Sequence, residues 1–433
     1  MVLDLLQIRP EERRAFSWSA AWFSTFLAAY YIVRPVREAL GSIKGAKDLP
    51  YLFTAVFITM LVAVPLYAKL VSMFPRRKLV PVVYRFLACN LLAFSAAMYF
   101  LDESRQVYVA RVFFVWVTVY VLFMTSLFWS VMADVFTRED GKRLFGTVAG
   151  FGTVGAILAS LFVGLTAEYL DTMGLLLMSV GLMEVGLWCF RRLNAARPHV
   201  PAVVIADVDE DDAEAQKPGI DDTSKNPFSG FLQIVSSPYL RSIMLYVFCT
   251  TCCGTFLYLT QADMLKAAYP DHQARTAVFA KVDLAVQIIT VVFQVVVASR
   301  LMKFSLKLTL CCLPMIYGSG FLGLAITPSL AVLFAAMVLS RSTTYGLAVP
   351  ALGVLYTVVS RDDKYKAKSI IDTLVIRGGD VGCNWTITAL RAAGMATVTL
   401  AWMMLPIAGL GIGLAILLGH RNAQAKIVAA SAD

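Results

Sequence analysis

Apolar runs of about twenty residues recur along the whole chain, and no other feature constrains its fold so tightly. A helix rises 1.5 Å per residue, so crossing a hydrocarbon core of ~30 Å takes about 20 residues. Twelve such runs can be marked. Six lie in the first half: Phe16–Val36, Leu49–Val71, Lys78–Leu101, Val107–Val135, Leu144–Leu170 and Met173–Phe190. Six lie in the second: Tyr239–Leu265, Thr276–Ser299, Leu306–Thr327, Ser329–Val359, Ser369–Leu390 and Ala396–Leu418. Only 15% of the 433 residues are charged, whereas soluble chains carry roughly 25%. The expectation is an all-α integral membrane protein with twelve transmembrane helices in two six-helix bundles, residues 1–190 and 236–433. Residues 191–235 join them. The core of that stretch, VDEDDAEAQKPGIDDTSKNP, is acidic and rich in helix breakers, the composition of a solvated linker.

The halves echo one another. Thr137–Gly155, TREDGKRLFGTVAGFGTVG, returns about 220 residues later as Ser360–Gly382, SRDDKYKAKSIIDTLVIRGGDVG. Each copy opens on a charged loop, Arg138-Glu139-Asp140 or Arg361-Asp362-Asp363, and runs into an apolar helix with closely spaced glycines. Gly150-x-Gly152-x-x-Gly155 matches a dinucleotide fingerprint in letters, but that motif needs a preceding strand and a soluble βαβ unit. Within a span, Gly146, Gly150, Gly152 and Gly155, and in the second half Gly378, Gly379 and Gly382, are expected to let neighbouring helices approach closely and rock.

The net charge of +9 comes largely from short loops rather than from a soluble basic face, which argues against nucleic acid as a partner. Lys69, Arg76, Arg77 and Lys78 fall in one loop, and Arg138, Lys142 and Arg143 in the next on the same side; Arg300, Lys303 and Lys307, then Arg361, Lys364, Lys366 and Lys368, repeat the pattern. The opposite loops carry few cations. By the positive-inside rule both termini and the linker are cytoplasmic, in a multi-pass protein of the cytoplasmic membrane. The first outer connection breaks the rule with Arg34, Arg37, Lys44 and Lys47, which suggests another task for those cations. All eight cysteines fall in apolar runs and read as packing residues, and three scattered histidines offer no metal site, so neither metal nor cofactor is expected.

Ionisable side chains inside spans cost roughly 2.5–3.5 kcal/mol each on insertion scales and ask for a reason. Arg37, Arg85, Lys281, Arg341 and Arg377 are the candidates for contact with a solute; Asp283, Asp380 and Glu184 are candidates for ion pairing or proton coupling. Cations outnumber anions, which points to an anionic solute. No nucleophile and base stand together in any motif, so an enzyme is not expected. Two other readings remain open: a proton-coupled exporter of another metabolite or siderophore, and a non-transporting membrane sensor or assembly protein. The chain is expected to work as a monomer.

Three blocks resemble the ATP:ADP antiporter family of plastids and intracellular bacteria. They are Tyr31-Ile32-Val33-Arg34-Pro35-Val36-Arg37-Glu38, Phe128-Trp129 leading through Lys142-Arg143-Leu144-Phe145-Gly146, and Lys364-x-Lys366-x-Lys368-x-x-Ile371-Asp372. The resemblance implies a fold like the major facilitator superfamily, with alternating access to a midplane site and a nucleotide-like or other phosphorylated cargo. The sequence departs from the family at charged positions. Arg37 stands for a lysine, Val117 or a neighbour for a glutamate, Gln261 for an acid with Asp263 nearby, and Asp380 for a lysine. Exchange of ATP for ADP is therefore not carried over by the resemblance.

Overall fold

The computed structural model describes residues 9–196, 237–356, 359, 367 and 370–430. Most of the linker at 191–235 and the charged loop around Arg361–Lys368 lie outside them. Twelve long helical segments follow in order among the described residues: α1 (Arg13–Gly41), α2 (Leu49–Met73), α3 (Arg76–Phe100), α4 (Glu103–Val135), α5 (Arg138–Thr166) and α6 (Thr172–Ala195), then α7 (Pro238–Ala268), α8 (His272–Phe304), α9 (Leu306–Ile326), α10 (Leu330–Leu355), α11 (Ile376–Ala392) and α12 (Thr397–Ala430). Ten of them are long and apolar enough to cross a membrane. The two that are not, α1 and α11, fall short of the expected twelve for a physical reason. The charge-free stretch of α1, Ala15–Val33, is diluted by Ser17, Ser19, Ser24, Thr25, Tyr30 and Tyr31, while α11, taken from Ile376, has only 17 residues and carries Arg377, Asp380 and Arg391.

Helix starts follow the polar residues between apolar runs. Thr137, Asp171, Ser237, Asp271, Ser305 and Ser329 each accept a hydrogen bond from the backbone N–H three residues on, satisfying a donor that a helix leaves open at its first turn.

One apolar cluster gathers Trp22, Phe26, Tyr84, Phe128 and Phe190 from α1, α3, α4 and α6, and it takes in Ala277 and Ala280 of α8. A second centres on Phe256, Leu324, Met337 and Ala408, and takes in Leu49, Leu52 and Val56 of α2 with Phe114 of α4. Thus α8 packs on α1 and α5, and α2 on α11, so each set of six helices lends a helix to the other's core. Helices α1 and α5 approach one another closely. A Cβ on Gly155 would overlap the Ser24 carbonyl oxygen, and one on Gly152 the Phe23 ring. Gly379 rests against Phe248 and Thr251. At the other four, Gly146, Gly150, Gly378 and Gly382, there is open space where a Cβ would stand.

Polar ties between α1–α6 and α7–α12 run from the end away from the termini to the middle of the helices among the described residues. The Ala46 N–H donates to Asp263 at 2.6 Å, and Arg391 holds the other oxygen of that carboxylate. Gly45 makes this possible, because its φ of +66° is one that a side-chain-bearing residue adopts rarely, and a Cβ there would press on Asp263 Oδ1. Trp385 donates to Thr54 at 3.1 Å, and Arg275 reaches the Ala39 carbonyl at 3.5 Å.

Candidate functional site

Three helices bring charge together inside the protein. Asp283 of α8 is only 3% exposed, and its Oδ1 accepts from Arg341 Nη2 of α10 at 2.7 Å. Arg34 Nη1 of α1 stands 3.5 Å from the same oxygen, with its side chain 15% exposed. Pro35 follows Arg34 in α1 and lacks the N–H that would close the turn onto the Tyr31 carbonyl. The Tyr31 hydroxyl accepts from Arg34 at 3.4 Å and from Gln287 of α8. Asp283 and Arg341 both lie about 17 Å from the far end of their helices at 1.5 Å per residue, near the middle of a ~30 Å core. Two guanidinium groups against one carboxylate leave an excess of one positive charge where charge is expensive. Asp283 Oδ2 is buried without a hydrogen-bond partner among the described residues.

Arg341 also lines a cavity of about 210 Å³, with Asp380 of α11, Thr255 and Tyr258 of α7, Tyr317 of α9 and Phe53 of α2. Thr255 donates to Asp380 Oδ1 at 2.8 Å, and Arg377 Nη1 stands 3.8 Å from Oδ2. The Tyr258 hydroxyl donates to Glu38, whose second oxygen is 2.7 Å from Arg37. Arg37 is further spent on the Phe114 carbonyl at 3.1 Å and on the Phe114 ring, 3.7 Å from its guanidinium. A larger crevice of about 640 Å³ opens at the far end between Tyr99, Asp171, Lys266 and His272, and it contains none of these central residues.

Three π-helical stretches lie on the termini side of the charged positions: Phe293–Ala298 in α8, Thr344–Ala348 just after Arg341 in α10, and Ile371–Val375 leading into α11. Such stretches are uncommon and gather at functional sites. The first two pack on each other, and a Cβ on Gly346 would stand 2.7 Å from Phe293 Cβ.

Arg341, Arg377, Asp283 and Asp380 are thus brought into one region, and Arg37 borders it through Glu38 and Tyr258. Arg85, Glu184 and Lys281 are not brought into it. Arg85 is exposed on the face of α3 that carries Val82 and Phe86, and Glu184 on the face of α6 that carries Val185 and Trp188. Lys281 is exposed and 3.9 Å from Glu168. Depth along a run does not give direction around it: Lys281 is two residues, hence ~200°, from Asp283. The residue that sequence reasoning misses is Arg34, which reads as a cation of the first outer connection. A signal exists, because Thr276, Phe279, Asp283, Val286 and Thr290 fall on one buried face of α8 at helical spacing, and their carboxylate needs a cation.

Residues 15–371 match the Major Facilitator Superfamily. The chain belongs to that superfamily. It is a secondary membrane transporter of that kind, a non-enzymatic class of protein. Solved structures with the same fold include a POT family transporter, PepTSo, at 14% identity and a TM-score of 0.63, covering 96% of this chain and 98% of that one. They also include a mutant form of the nucleoside transporter NupG, at 12% identity and 0.60, covering 95% and 99%. The xylose transporter XylE from E. coli, in an inward open conformation, matches at 14% and 0.59, covering 92% and 95%. No curated protein sequence matches the chain.

Proposed function

We propose that this transporter carries an anionic solute, and that Arg34 and Arg341 are the groups that hold it. The carrying observation is the excess of one positive charge in the buried Arg34–Asp283–Arg341 cluster, beside a cavity that Arg341 lines. With the site empty, Asp283 keeps the two guanidinium groups paired. A carboxylate or phosphate oxygen then competes with Asp283 for donors already in place, which is why a buried carboxylate suits this position better than an uncompensated pair of cations. Arg377 lies one turn from Asp380 and is available to a larger anion.

The motion in this reading is alternating access. Residues 1–190 and 236–433 move as two six-helix bundles, joined by a cytoplasmic linker, in the cytoplasmic membrane. The ties at the far end and the open space at Gly146, Gly150, Gly378 and Gly382 fit a transporter closed outward and open toward its termini. The likeness to the ATP:ADP antiporter family supports an anionic cargo. The cavity of about 210 Å³ is below the ~300–1,000 Å³ of pockets for drug-sized ligands, which favours a solute smaller than a nucleotide.

The reading is tested by thermal unfolding of the purified chain with organic acids, amino acids, sugar phosphates and nucleotides. Anions should stabilise it where their neutral amides or alcohols do not, and Arg341→Ala should remove both that effect and uptake into proteoliposomes. Equal stabilisation by neutral analogues would overturn the anionic reading.

A further inference from the structure

The central cavity is lined by charges of both signs. Arg341 brings a guanidinium to it from α10, and Asp380 brings a carboxylate from α11. The same lining includes three aromatic side chains, Phe53, Tyr258 and Tyr317. The two charges are spoken for differently. Arg341 belongs to a cluster with surplus positive charge, so it attracts an anion to the cavity. Asp380 is held in place by the Thr255 hydroxyl at Oδ1, while the nearest cation among the described residues, Arg377, stays 3.8 Å from Oδ2, beyond hydrogen-bond length, on a side chain one-third exposed. That carboxylate retains capacity for a short, charge-assisted bond from a donor inside the cavity.

We propose that the cavity is a bipolar site for a small zwitterion, an amino-acid-like solute with one carboxylate and one ammonium group. The carboxylate faces Arg341 and the ammonium faces Asp380, with an apolar body against Tyr317, Phe53 and Tyr258. This rests on the anionic reading of Arg341 and adds a second, separate demand at Asp380. It also gives Asp380 a role that the anionic reading leaves open. A purely anionic solute would meet the Asp380 carboxylate within the same 210 Å³, and like charges brought together in a site of low dielectric repel.

Binding to the full-length purified chain tests it, read as the shift in unfolding temperature and by calorimetry with the twenty amino acids and a set of dipeptides. The leading member is then compared with its N-acetyl derivative, which lacks the ammonium, and its amide, which lacks the carboxylate. Each derivative should bind on the order of tenfold or more weaker, because it leaves a charged partner in the cavity unpaired. Asp380→Asn should erase the preference over the N-acetyl derivative and keep that over the amide; Arg341→Gln should do the reverse. Thr255→Val, which keeps the charge but frees the carboxylate to turn, should reduce the first preference only, and it serves where Asp380→Asn does not fold. Equal binding of the N-acetyl derivative by the unmodified protein would overturn the zwitterion while leaving the anionic reading intact. Equal binding of the amide would overturn the anionic reading itself. No shift with any amino acid or dipeptide would also overturn the zwitterion.

Discussion

Asp283 and Lys281 stand two residues apart on α8 and occupy opposite surroundings. Asp283 is 3% exposed and shared by two guanidinium groups from other helices; Lys281 is 57% exposed, its stem lies beside Gly164 of α5, and its ammonium stands 3.9 Å from Glu168. In sequence they look alike, each a lone charge in an apolar run. The difference shows that the function of an intramembrane charge is set by its angle around the helix, which decides whether it meets the core or the surroundings of the protein.

The sharpest way to break this comparison is to remove the buried member. Asp283→Ala leaves Arg34 and Arg341 facing each other without an anion, and deleting one partner of a buried pair costs about 3–5 kcal/mol. The expected result is a large drop in unfolding temperature of the detergent-purified protein, together with loss of transport. Asp283→Ala combined with Arg341→Met should recover part of that stability, since the remaining charge is lower and an apolar side chain fills the space. Transport should not return. An Asp283→Ala variant as stable as the parent would mean that the cluster does not carry buried charge.

A second comparison separates the glycines. Gly155 meets the backbone of Ser24, and backbone cannot swing aside as the end of a side chain can, so Gly155→Val should destabilise by about 1–3 kcal/mol through overpacking. Gly150 has open space and a helical backbone, where alanine is favoured over glycine by about 1 kcal/mol, so Gly150→Ala should unfold at the same or a slightly higher temperature. If both variants fall equally, a neighbouring helix occupies the space beside Gly150 in the folded protein.

The number and order of helices are legible in the sequence because spanning a ~30 Å core leaves a signal in every run, and composition alone carries it. Ten runs satisfy that signal fully. The two that do not, α1 and α11, carry the charges that reach the centre, so the weakest spans by hydropathy hold much of the site. The chemistry is half legible. Arg341, Asp283, Arg377 and Asp380 are marked by cost alone, whereas Arg34 is hidden by its place near the end of an apolar run. Its partner Asp283 comes from α8, about 250 residues away, and no local pattern joins them. Arg85, Lys281 and Glu184 are marked by the same cost argument and stand elsewhere, because cost is blind to direction. The π-helical stretches leave no trace in the periodicity of the apolar runs.

The smallest effects should come from these outward charges, and they decide whether angle or depth matters more. Arg85 lies on the face of α3 with Val82 and Phe86, both about two-thirds exposed, and its long side chain can carry the guanidinium toward the headgroups while its methylenes stay in the apolar layer. Replacing it loses no packing in the core and no partner in the central cluster. Arg85→Leu should therefore change unfolding by no more than about 0.5 kcal/mol, the usual range for a surface substitution, and leave transport in proteoliposomes close to the parent. Lys281→Ala should do the same, since an exposed ion pair contributes about 0–1 kcal/mol. Glu184→Gln completes the set, with no charged partner of the centre to lose. If Arg85→Leu abolished transport while the protein remained folded and membrane-inserted, depth would outweigh angle, and α3 would have to turn that face inward at another stage of the cycle.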